Sequence, residues 1–202
     1  MVFILWEQIP KTVSEPGEER PVMTRAIAES HPLHRLFRGI TEQTFISELG
    51  IGDPGLVGYV ANLLAAFVRS DAIWGLKNQS GERLKQVTAM VAEAESAIDS
   101  DRRRECHRHV GDFTLFWTGV YPEALGALQG SDQPDHLVHY QQQGKRSYYL
   151  ASRLVEGSEA PVLRWLSEEF ELCAFGLSRV RKEWERHDGQ ELRGPVQPKP
   201  LI

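Results

Sequence analysis

Cysteine is scarce in this chain. Cys106 and Cys173 are the full complement, and both fall in segments with helical patterning. A disulfide framework is therefore not expected, and reduced core thiols are. Long apolar runs are missing as well: none approaches the roughly 18 residues that a membrane span needs. The apolar opening Val2-Phe3-Ile4-Leu5-Trp6 lacks a basic leader and runs directly into Glu7, so it does not read as a signal peptide. The expectation is a soluble, cytoplasmic protein with no membrane partner.

Charge of one sign is also lacking. The net charge is -5, and the two halves are alike, with 9 basic against 13 acidic residues in 1–100 and 14 against 15 in 101–202. Neither half would draw in a phosphate backbone. The run Arg102-Arg103-Arg104 is short, and Arg179, Arg181, Lys182 and Arg186 are offset by Glu183 and Glu185. Nucleic acid is not an expected partner.

Signature motifs are the third absence. There is no phosphate loop, no Gly-x-Gly-x-x-Gly after a strand, no Gly-x-Ser-x-Gly elbow, no His-Glu-x-x-His and no Cys-x-x-Cys. No cofactor is expected, and no recognisable catalytic machine supports an enzyme.

What is present is helical periodicity. Pro32 begins a segment in which Leu33, Leu36, Phe37 and Ile40 share a face, and Phe45, Ile46 and Leu49 mark a short second helix closed by Gly50. Asp53-Pro54, an N-cap followed by proline at the first helical position, opens a helix over 54–70. Ser80 is expected to cap a helix containing Leu84, Val87, Met90, Val91, Ala94 and Ile98, and Asp99 the next one, to about Thr118. Pro134 opens a helix to about Leu154, and a single last helix is expected over 160–187. No strand-like alternation occurs. The fold class is all-α: a single-domain helical bundle of about six to seven helices, in mixed antiparallel and orthogonal packing. It spans 31–188, between an N-terminal arm at 1–30 and an extended, proline-rich tail at 189–202.

Two clusters carry candidate chemistry. Arg102, Glu105, His109 and Asp112 stand three and four residues apart, a polar stripe on a helix that turns apolar all round beyond Asp112. One reading is a metal or acid–base site, a neutral imidazole between two carboxylates. The other is a structural network in which Glu105 and Asp112 hold His109, with Arg102 or Arg108 as further partners for Asp112. The second cluster, Asp135, His136, His139 and Tyr140, places two histidines three residues apart, a weaker metal candidate that nothing at bundle-metal spacing completes. Tyr140, Gly144, Tyr148 and Ala151 align on one helix face. Gly144, like Gly111, is explained by a close helix crossing, with a ligand pocket at the gap as the alternative.

The stretch Arg108-His109-Val110-Gly111-Asp112-Phe113-Thr114-Leu115-Phe116, with Gly119 and Pro122-Glu123, resembles a motif in a group of uncharacterised bacterial helical proteins. In that group a similar Arg-His-x-Gly-Asp helix precedes a tyrosine-rich helix like Tyr140–Tyr149. The resemblance covers roughly residues 56–155. It implies relatedness and a helical fold, and no activity comes with it. The leading expectation is a non-enzymatic interaction or regulatory protein, acting as a homodimer or with a protein partner. The alternative is a metal- or small-molecule-dependent enzyme or binding protein with its site in the helical core around His109. Its candidate catalytic residues are Glu105, His109, Asp112 and Tyr148, and its candidate metal ligands His109, Asp112, His136 and His139.

Overall fold

A computed structural model describes residues 32–67, 70–125 and 136–191. The expected arm falls outside the described residues, as does all of the expected tail beyond Glu191. Among the described residues there are seven α-helices longer than one turn: α1 (Pro32–Glu42), α2 (Pro54–Phe67), α3 (Val87–Ser96), α4 (Ser100–Val120), α5 (His136–Ser152), α6 (Glu159–Glu168) and α7 (Phe170–Glu191). A single turn at Ser70–Ile73 and a 3-10 turn at Pro122–Ala124 complete the set. The described residues contain no strand, only the isolated bridge Lys77–Arg83. The fold is all-α.

Helix α4 is the spine. The Asp99 carboxylate caps it, accepting from the Arg102 amide at 3.1 Å, which satisfies a donor that a helix start leaves orphaned. From Val110 to Val120 every residue but Asp112 is buried. Helices α3, α5 and α7 pack along α4, and α2 meets it at one side. Asp53 caps α2 as expected, through the amides of Gly55 at 2.7 Å and Leu56 at 3.1 Å. α1 continues into a π-helical stretch, Gln43–Glu48, which ends at Gly50 with φ of 71°. Only glycine takes that backbone without strain.

The seam between α4 and α5 is closed by missing side chains. A methyl group on Gly111 would stand 2.6 Å from the Tyr148 ring, and one on Gly144 would strike Thr114 Oγ1 and the Phe170 ring. The close crossing expected at Gly144 is present. The alternative there, a ligand pocket, is not: Phe170 and Tyr148, both with no exposed surface, fill the gap.

Three expectations need correction. The last helix is two, because Glu169 leaves helical geometry at φ -109°, ψ 34°. The bend drops Phe170 over Gly144, a tertiary demand that no glycine or proline announces. Ser80 caps nothing. The Asn78 carboxamide closes that loop on the amides of Ser80 and Glu82, and Leu84 pairs with Leu76 in extended backbone before α3 begins. Ile98 is 99% exposed rather than inward, because α3 ends at Ser96 and Ala97 turns the chain away.

Candidate functional site

The polar edge of α4 faces a cleft of about 830 Å³ between α4, α2, the 72–77 segment and the start of α6. Arg102, Glu105, Arg108, His109 and Asp112 all line it. The stripe read from spacing alone is thus one wall of a concavity, and His109 stands beside open space rather than in sealed packing.

Asp112 is the centre. Its Oδ1 accepts two phenol hydrogens, from Tyr59 on α2 at 2.6 Å and from Tyr148 on α5 at 2.8 Å. Neither His109 nor an arginine makes that contact, which corrects the expected pairing. No described donor reaches Oδ2, and that atom is not sealed from solvent. Burial drives the Asp112 pKa up to about 6, and the Arg108 charge and the two hydroxyls counter this only in part. Burial and the adjoining carboxylate push both tyrosines above their ordinary range, so they stay neutral donors.

Arg108, one helical turn before Asp112, pairs with Glu159 of α6 at 3.2 Å. Its pKa is raised: Asp112, Tyr59 and Glu159 outweigh the desolvation that alone would lower it. Arg102 is also committed, to the Lys77 carbonyl, to Glu93 at 3.4 Å and to Glu105 at 3.3 Å. Glu105 therefore serves Arg102 at the exposed mouth and does not hold His109, a second correction to the expected network.

His109 has one hydrogen bond, from Nε2 to the Ile73 carbonyl at 3.2 Å. A carbonyl only accepts, so Nε2 carries the proton and Nδ1 keeps a lone pair. Desolvation lowers the ring's pKa to about 4, so it is neutral at physiological pH. Phe67 lies against it at 5.9 Å.

The second cluster stays apart. His139 is exposed on α5, away from the cleft lining, and the His136 side chain lies outside the described residues. Among the described residues no three His, Cys, Asp or Glu side chains converge as metal ligands. Cys106 and Cys173 are buried, unpaired thiols, with pKa pushed by burial to about 11 in Cys106 and above the usual thiol range in Cys173.

Tyr59 and Gly58 were missed from the sequence. Tyr59 is the one phenol in a helix that is apolar but for Asn62, and a half-buried tyrosine of that kind needs a hydroxyl partner. Gly58 lines the cleft in the interior of α2, where glycine is about 1 kcal/mol worse than alanine. A methyl group there would meet nothing within 4 Å, so packing does not explain it.

No known protein family, no curated protein and no solved structure matches the chain.

Proposed function

We propose that this protein binds a small molecule in the cleft beside α4, with Asp112 as its polar anchor. The observation that carries this reading is the state of Asp112. Its Oδ1 is fixed by Tyr59 and Tyr148 from two other helices, while Oδ2 has no donor among the described residues and Asp112 lines a cleft. Oδ2 is thereby open to a donor from the cleft, which a bound molecule can supply. Clearance at Gly58 supports the same reading, since a helix interior normally favours any side chain over none. So does the position of His109, whose free lone pair belongs to the same wall. These features move the weight from an interaction protein toward a ligand site around His109 and Asp112. With a pKa close to neutrality Asp112 is also suited to accept a proton from a bound group.

A ligand screen read by thermal shift and by saturation-transfer NMR tests this. Wild type is compared with Gly58→Leu, which puts a side chain into the cleft and leaves Asp112 itself unchanged. Ligands that raise the melting temperature of wild type and lose their effect in Gly58→Leu are the expected result. Binding indifferent to Gly58→Leu, or no binding across the library, would overturn it.

A further inference from the structure

Resting on that reading, the geometry points to a class of ligand: a protonated primary amine carried on a compact apolar body. Two arginines that line the cleft are already in ion pairs. Arg108 is ion-paired to Glu159 and also feels the Asp112 charge, and Arg102 is held by Glu93, Glu105 and the Lys77 carbonyl. An anionic ligand approaching either guanidinium would also meet the carboxylates of Glu105, Glu159 and Asp112, which line the same cleft. Asp112 has no cation within ion-pair distance among the described residues; neutral hydroxyls are its hydrogen-bond partners, and the Arg108 charge acts on it from farther off. This carboxylate is therefore hydrogen-bonded but not ion-paired, and burial already withdraws it from bulk water.

The neighbouring groups share one polarity of hydrogen bonding. The Tyr59 hydrogen is used on Asp112, so its oxygen can only accept further hydrogen bonds. The His109 hydrogen is used on Ile73, which leaves Nδ1 as an acceptor. Asp112, Tyr59 and His109 all line the cleft and thus offer it acceptors, and a group with three donors and a positive charge complements them. An ammonium has both. A hydroxyl has one donor and no charge, and a carboxylate has neither. The surrounding walls are Gly58, Leu63, Ala66, Phe67 and Val162. They are small or apolar and suit a hydrocarbon body, with Phe67 as an aromatic face.

Three probes of matched shape decide the matter on the full-length protein at pH 7.5: benzylamine, benzyl alcohol and benzoate. Benzylamine is expected to bind roughly tenfold or more tightly than benzyl alcohol, with benzoate weaker still. Asp112→Asn, which keeps an oxygen for both tyrosines but removes the charge, is expected to abolish the preference for benzylamine over benzyl alcohol. Far-ultraviolet dichroism checks that this variant is folded, and the ranking of the probes on wild type stands without it. Equal binding of amine and alcohol, or tighter binding of benzoate, overturns the amine and leaves the cleft as a ligand site. Failure of all three at millimolar concentration overturns the amine, while the library screen decides the cleft. A benzylamine preference that persists in Asp112→Asn overturns the assignment to this carboxylate.

Discussion

The two flanks of α4 use the same residue type for opposite ends. Toward α5, Gly111 and Gly144 stand where any side chain would collide with Tyr148, Thr114 or Phe170, and the seam is sealed. Toward α2, Gly58 stands in open space beside a cleft. In the first region glycine lets backbones approach. In the second it keeps a wall bare. Glycine at a helix interior is thus not one signal but two, and the neighbouring atoms decide which.

This contrast is open to direct attack, and the largest effect lies on the sealed side. Gly144→Ala should lower stability by about 1–3 kcal/mol, since the gain in helix propensity is smaller than the overpacking against Thr114 and Phe170. Urea denaturation would read it, and an unchanged midpoint would mean the seam is slack.

On the open side the charge of Asp112 dominates. Its folded pKa of about 6 is above its ordinary value of 3.8. The protonated form is therefore favoured by folding, and that contribution is complete below about pH 3.8 and is lost as pH rises through about 6. Asp112→Asn lacks the loss. It should match wild type near pH 4 and exceed it by about 1–2 kcal/mol at pH 7.5, discounted for the edge of Asp112 that faces the cleft. Thermal melts at the two pH values measure this; a variant less stable at pH 7.5 would mark Asp112 as a structural group only.

Tyr148→Phe sharpens the same point with an effect of about 1.5 kcal/mol, the low end for losing a hydrogen bond to an ionised acceptor, since Tyr59 still donates to the same oxygen. It should also raise the Asp112 pKa further, which a carbon-detected NMR titration would follow. The smallest change is expected at Gly58→Ala. With no atom in its way, the methyl group should stabilise the protein by about 0.5–1 kcal/mol, the reverse of Gly144→Ala. Destabilisation there would end the comparison.

Much of the frame was legible before any coordinates. The Asp53-Pro54 start, the Asp99 cap and the apolar turn of α4 beyond Asp112 are local signals, and local rules fix them. The Arg102–Asp112 stripe was also visible, because spacing of three and four places side chains on one edge. Its partners were not. Tyr59 lies 53 positions from Asp112, and no periodicity within α4 indicates which helix will supply a hydroxyl. The break at Glu169 escaped for a related reason: packing over Gly144 imposes it, not the local residue types. Glu105 and His109 look paired on a helical wheel, yet Glu105 pairs with Arg102 one turn earlier on α4 and His109 with the Ile73 carbonyl off the helix.

The hydrogen bond from His109 to Ile73 has a spectroscopic consequence. Because Nε2 must hold the proton and the ring stays neutral until about pH 4, a long-range nitrogen–proton correlation should resolve one pyrrole-like and one pyridine-like nitrogen. Both should keep their frequencies across the physiological range. The pyridine-like signal belongs to Nδ1, so a cleft ligand that donates to it would move that resonance and leave its twin nearly still. The imidazole is in this sense a built-in reporter of occupancy, readable without any label beyond nitrogen-15.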